Sequence, residues 1–173
     1  MKLNEAIVLI QDAIPFLPRA GQAQHWADLG CGTGLFTEAL AKILPSGSIV
    51  DGIDTHPDLP HHPQLHPITA DFEKDDLPLK DLDGILMANS IHYVQDKQAL
   101  IKKLRGYMQP DAPFIFVEYD TDTPVARWVP YPMSFASMKQ IFPAAQKLAQ
   151  HPSVYGRANI YAAIATATHS AAD

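Results

Sequence analysis

The residues Trp26-Ala27-Asp28-Leu29-Gly30-Cys31-Gly32-Thr33-Gly34 carry the most chemical information in the chain. Three glycines at alternate positions follow a short apolar run and precede an amphipathic one that begins at Leu35. Glycine lets a backbone approach a ligand without a Cβ clash and take positive φ. Between a strand and a helix, such a loop is a nucleoside-binding turn, because ligands of open parallel sheets gather where strands end and helices begin. Asp54 closes the next apolar run, 20 residues after Gly34. A carboxylate there can accept both ribose hydroxyls, or cap a helix, or simply end a strand in solvent. The spacing separates two ligand classes. A dinucleotide fingerprint, G-x-G-x-x-G, needs its third glycine at position 35, which is Leu. Asp28 stands two residues before the first glycine. Its carboxylate would repel a pyrophosphate and attract an amine or sulfonium, so the loop favours a cationic nucleoside. Cys31 is a small residue that the loop requires rather than a nucleophile.

Further candidates lie at the ends of later apolar runs. Asn89 and Ser90 follow Leu82–Ala88 and stand at a cleft lip, although Asn is also an ordinary turn residue. His92 comes next. An imidazole with an unperturbed pKa of ~6.5 suits a general base, and the alternative is a packing residue on the cleft wall. Tyr93 shares that position. Glu118, Tyr119 and Asp120 end the strongest apolar run and offer acceptor contacts. Arg127-Trp128-Val129-Pro130-Tyr131-Pro132 reads either as a lid over an aromatic or anionic acceptor or as a loop anchored by its own aromatics. His56, His61, His62 and His66 have ring donors but no helical i, i+4 pairing and no Cys nearby. A solvated Pro-rich loop is therefore expected there, and no metal. Ser153, Tyr155, Gly156 and Arg157 read as a polar turn.

The elements that must position these residues follow from periodicity. Leu3, Ile7, Ile10 and Ile14 predict a helix over 3–14, ended by Pro15 and Pro18. Strands are predicted at 25–29, 48–54, 67–70, 82–88 and 113–119. Helices are predicted at 35–44, 96–108 and 134–142. Residues 147–154 and 159–166 form a closing strand pair, although the alanines of the second leave it ambiguous with a helix. Alternating strands and helices predict a mostly parallel sheet covered on both faces.

The composition is consistent with this reading. With 173 residues, 47 % hydrophobic and 18 % charged, the chain suits one domain, since ~150 residues is the soft prior per domain. A net charge of −6 argues against a nucleic-acid clamp. A single cysteine cannot form an internal disulfide, which fits a cytoplasmic setting. No apolar run approaches the ~20 residues of a membrane helix, and the N-terminus lacks the pattern of a signal peptide.

Taken in order, these motifs resemble the class I S-adenosylmethionine-dependent methyltransferases, whose first motif is commonly D-x-G-x-G-x-G. The resemblance spans roughly residues 22–120. It implies an α/β fold: a three-layer, Rossmann-like, mostly parallel seven-stranded sheet with an antiparallel last strand. It implies that S-adenosyl-L-methionine contacts Asp28, Leu29, Gly30, Cys31, Gly32 and Gly34, with Asp54 and Thr55 at the ribose. Asp71 and Phe72 would meet the adenine, and Asn89 and Ser90 would line the rest. His92 and Tyr93 become the candidate catalytic residues, and Tyr119, Arg127, Trp128 and Tyr131 the candidate acceptor contacts. The implied activity is methyl transfer to a small or medium-sized acceptor, with a homodimer as a possible assembly. The alternative is a non-catalytic module that binds S-adenosylmethionine or a partner protein. Two departures stand out. The family's Pro-Gly-Gly turn before the fifth strand is Pro110-Asp111-Ala112 here, and the Pro/His segment 56–67 replaces most of the helix between strands two and three. The short N-terminal segment suggests an open cleft, or a lid supplied by 121–135 or by a partner chain.

Overall fold

The computed structural model describes residues 1–19, 21–153, 156 and 158–166. Tyr155 and Arg157 of the predicted polar turn lie outside these. The helix α1 (Leu3–Ile10) and a 3-10 helix (Gln11–Phe16) lead into β1 (His25–Leu29) and α2 (Leu35–Ile43). β2 (Ile49–Asp54), β3 (Leu65–Thr69) and β4 (Gly84–Ala88) follow, then a short 3-10 turn, Ile91–Tyr93. The chain continues through α3 (Lys97–Arg105), β5 (Phe114–Tyr119), α4 (Phe135–Ile141), β6 (Gln146–Pro152) and β7 (Asn159–Ala165). The alanine-rich last run is therefore a strand. One seven-stranded sheet runs in the order β3-β2-β1-β4-β5-β7-β6. The first five strands in that order are parallel, and β7 is antiparallel to both its neighbours.

Two cores flank the sheet because side chains alternate along each strand. Trp26, Val50, Leu86 and Ile115 face α1 and α2, while Ala27, Ile53, Met87 and Phe116 face α3 and α4. Gly84 pairs with Trp26, and a Cβ at Gly84 would lie 2.3 Å from the indole. The indole fills that gap and donates to Gln24 Oε1 at 2.8 Å.

The first helix departs from its predicted pattern. It ends at Ile10, and Pro15 lies inside the following 3-10 turn rather than terminating the element. Its buried stripe is Ala6, Leu9 and Ile10, with Ile14 half exposed. The 3-10 turn advances fewer residues per turn, so the stripe shifts and Ala13 takes the inward position. Pro110-Asp111-Ala112 replaces the glycine turn through Asp111 itself, which takes φ 48. Asp tolerates that left-handed region better than most residues.

At the opposite end of the sheet from the glycine loop, His25 Nε2 lies 2.6 Å from Asp51 Oδ2, and His66 Nδ1 lies 3.4 Å from Asp51 Oδ1. The hydrogen bond to Asp51 pushes the His25 imidazole up from its ordinary value, against its partial burial. A group raised on folding stabilises the protein below its unfolded value of 6.5 and loses that contribution as pH rises through its folded value. His25→Gln should therefore lower the urea midpoint more at about pH 6 than at about pH 9. A gap that widens with pH would contradict the assignment.

Candidate functional site

Strand order reverses between β1 and β4: β2 and β3 extend the sheet one way, β4 and β5 the other. The carboxyl edge at such a switch point is an open crevice, because the connections leave it in opposite directions. The glycine loop leaves β1 at this crevice, and Asn89-Ser90 leaves β4 beside it.

Gly30 and Gly34 both adopt φ 78, a conformation that favours glycine. At Gly30 space is also decisive, since a Cβ would sit 2.5 Å from Ser90 Cβ and 3.5 Å from the Phe72 ring. This contact brings together three predicted site groups that are far apart in sequence. A Cβ on Gly32 would meet nothing within 4 Å, so the middle of the loop faces open space. Leu29 and Cys31 are buried at its base. Burial pushes the Cys31 thiol up to about 12, which leaves it inert as a nucleophile.

Asp28 is fully buried. The Thr37 hydroxyl, in the first turns of α2, donates to its Oδ2 at 2.6 Å, while Oδ1 has no hydrogen-bond partner among the described residues. Burial lifts this carboxyl to about 7; the Thr37 hydrogen bond opposes the rise and the nearby Asp54 charge adds to it. Asn89 Oδ1, Ser90 Oγ and Glu118 Oε1 are also buried without partners. Four of the six such atoms among the described residues thus lie along the carboxyl ends of β1, β4 and β5. Asn89 adopts φ 54, a left-handed state that Asn, like Asp, takes more readily than most residues.

Asp54 organises the opposite wall. Its Oδ2 accepts from the Gly32 N–H at 3.0 Å, and its Oδ1 from the His56 N–H at 3.0 Å and the Thr55 hydroxyl at 3.4 Å. The Asp58 N–H donates to Gly32 O at 2.9 Å. Leu59 and Pro60 pack directly on Gly34, and Leu59 also packs on Gly52. The Pro-rich segment therefore covers this side in place of a helix and is strapped to the glycine loop.

On the α3/α4 face, His92 Nδ1 lies 2.7 Å from Glu118 Oε2, with both side chains almost fully buried at 3 % and 1 % exposure. The Tyr93 ring leans on the imidazole at 4.5 Å between centroids, and Tyr119 lies at 6.3 Å. The Tyr131 N–H donates to His92 O at 2.9 Å. Lys97 Nζ donates to Val94 O and Tyr131 O at 2.8 and 2.7 Å, fastening segment 121–133 over the histidine.

Comparison with known proteins gives the family. The family described as "Methyltransferase domain" matches residues 4–167. The chain belongs to that family. It is 30 % identical over 104 residues to a ubiquinone biosynthesis O-methyltransferase of Coxiella burnetii, covering 55 % of this chain and 43 % of that protein. It is 28 % identical over 116 residues to malonyl-[acyl-carrier protein] O-methyltransferase 2 of Ilyobacter polytropus, covering 62 % and 44 %. The chain thus spans less than half the length of these curated relatives. It superposes on an S-adenosylmethionine dependent methyltransferase from Mesorhizobium loti with a TM-score of 0.65 at 16 % identity, covering 95 % of this chain and 100 % of that one. At that identity the likeness is one of fold.

Within this methyltransferase domain, several predicted residues stand differently from their simplest reading. The Asp71 carboxylate is engaged by Lys74 Nζ at 2.7 Å and by the N–H groups of Glu73 and Lys74 at 3.1 and 3.3 Å. The Lys74 ammonium holds it below the usual carboxylate range. Arg127 and Trp128 make no side-chain hydrogen bond or ring contact with His92 among the described residues, and Trp128 is 73 % exposed. Of the aromatic loop, only Tyr131 reaches the histidine. Glu118 turns inward, away from any solvent-side acceptor contact. Thr37 and Leu59 complete the walls without having been singled out. Helical geometry offered a signal for Thr37, which faces the strand preceding its own helix.

Gly30→Ala should lose about 1–3 kcal/mol of stability through overpacking and an unfavourable φ. The expected readout is a lower urea midpoint at unchanged slope, and an unaltered midpoint would show that β1 and β4 do not meet this closely.

Proposed function

We propose that this chain is an S-adenosylmethionine-dependent methyltransferase, working as a single domain in the cytoplasm, that methylates an oxygen of a small-molecule acceptor. The observation that carries the reading is the row of unpartnered acceptor oxygens at Asp28, Asn89 and Ser90 beside a glycine loop open at Gly32. Buried acceptors need donors. An ammonium-bearing, sulfonium-bearing nucleoside brings donors and positive charge, so the residues present fit it. No helix among the described residues is long and apolar enough to cross a membrane.

In this reading Asp28 and the backbone of Leu29, Gly30, Cys31, Gly32 and Gly34 cradle the amino-acid end. Asp54 and Thr55 hold the ribose, using lone pairs left over from the Gly32 and His56 contacts. Asp71 and Phe72 bound the adenine, and Asn89 and Ser90 close the floor. When bound, S-adenosylmethionine would supply an electrophilic methyl carbon, with its sulfonium sulfur as the leaving group that would keep the electron pair. The chain's own part is alignment and exclusion of water, which together supply much of the rate. His92 takes the acceptor proton. Tyr93, Tyr119 and Tyr131 form the acceptor wall, while Arg127 and Trp128 stand at its mouth. The two curated relatives named above are O-methyltransferases, which favours oxygen as the attacking atom.

Calorimetric titration should show binding of S-adenosylmethionine and S-adenosylhomocysteine, weakened at least about tenfold in Asp54→Ala, where charged hydrogen bonds are lost. Binding of NADH alone would overturn the reading. Below about 7 the Asp28 carboxyl is protonated and no longer attracts a cation. Affinity for S-adenosylmethionine should therefore rise about tenfold from about pH 6 to about pH 8. Asp28→Asn should remove that slope, and a slope that survives in the variant would assign it to another group.

A further inference from the structure

His92, in the 3-10 turn after β4, and Glu118, near the end of β5, lie 26 residues apart and meet with both side chains almost fully buried. A carboxylate removed from water needs a donor, and a neutral imidazole has one N–H to give. With Nδ1 turned to Glu118 Oε2 at 2.7 Å, the proton of the neutral ring sits on Nδ1 and the lone pair on Nε2. Nε2 makes no hydrogen bond among the described residues and is not wholly closed off. The Tyr93 and Tyr119 rings lie beside the imidazole, and the Tyr131 N–H anchors the backbone that carries it. A base oriented by a second group that is itself buried is the arrangement that activates hydroxyl nucleophiles. An amine acceptor would need only to lose its proton to solvent, and a carboxylate acceptor would need no base.

We propose that Glu118 is the positioning residue of the acceptor site, holding His92 with Nε2 unprotonated, and that the acceptor is a neutral hydroxyl rather than an amine or a carboxylate. The inference rests on the methyltransferase reading above and adds the acceptor class. The hydroxyl proton passes to Nε2, and the oxygen pair so freed forms the bond to the transferred methyl. Positive charge thus moves from the methyl donor to the imidazole, next to the Glu118 carboxylate. The unpartnered Oε1 leaves that carboxylate with spare capacity to stabilise it. Lys97 is the other charge facing Glu118; burial lowers its ammonium, which is tied to Val94 O and Tyr131 O rather than to the carboxylate. Asp120, the next carboxylate along, is taken up by Lys147 at 2.9 Å.

Three measurements decide it. Calorimetry with S-adenosylmethionine tests the underlying reading: no binding by the wild-type chain sinks the methyltransferase assignment itself, whatever the histidine does. Long-range proton–nitrogen correlation spectra of the ligand-free chain should show His92 protonated at Nδ1, and Glu118→Ala should abolish that preference. Protonation at Nε2 in the wild type would overturn the positioning role. Transfer of labelled methyl should then be measured to three probes, catechol, benzylamine and benzoate. Catechol should be the one methylated. Its kcat should fall about 10²-fold in Glu118→Gln, within the range of general-base contributions, and less in Glu118→Asp, with KM for S-adenosylmethionine within about twofold of wild type. Methylation of benzylamine or benzoate alone, or of none of the three, would overturn the hydroxyl assignment. A lower melting temperature with unchanged kcat would make the pair purely structural.

Discussion

The approach of Gly30 to Ser90 is the contact on which the rest of the site depends. It brings the ends of β1 and β4 so close that a Cβ would sit 2.5 Å from its neighbour. Because strand order reverses between these two strands, this is also where the sheet opens. Close packing at the base of an open crevice gives a ligand a rigid floor and leaves the middle of the loop, at Gly32, facing outward. Asn89 and Asp28, each with one buried oxygen unpartnered among the described residues, flank that floor. Both unpaired oxygens cost folding free energy, and a ligand bringing donors and positive charge would recover it.

Two departures from the family pattern meet the same physical demands by other means. The sheet face beside β2 needs an apolar cover, and Leu59 supplies it where a helix would otherwise lie. The strap that carries Leu59 also donates from Asp58 to the glycine loop, so covering the core and shaping the cleft become one task. The turn into β5 needs a residue at positive φ, and Asp111 provides it in place of glycine. A proline-rich strap has fewer conformations to lose on folding than a flexible one, which suits a wall that must hold its shape.

The two halves of the cleft differ in electrostatic character. On the α2 face a carboxyl sits near its titration point because burial outweighs its single hydrogen bond. On the α4 face Glu118 has an imidazole for a partner at 2.7 Å. The first arrangement suits a cation that arrives from solution. The second suits a charge that forms only during a reaction.

Much of the fold was legible from local pattern. Alternation and apolar runs placed β1, β4 and β5 within two residues of their observed bounds, since strand and helix periodicities are properties of neighbours in sequence. The glycine spacing and Asp28 marked the loop after β1 as the candidate site for the same reason: backbone freedom and side-chain charge belong to the residues themselves. Tertiary structure alone decided the rest. Ile14 fits the helical stripe by spacing but faces outward, because a 3-10 turn changes the angle per residue. Asp71 resembles a free cleft carboxylate but is taken up by Lys74 and its own turn. Glu118 reads as one acidic residue at a strand end, and nothing within 26 positions announces His92 as its partner. That pairing depends on how β4 and β5 register side by side, and on Tyr131 and Lys97 holding the later segment against His92. Register and packing are set by the whole sheet, so a contact made through them has no local signature.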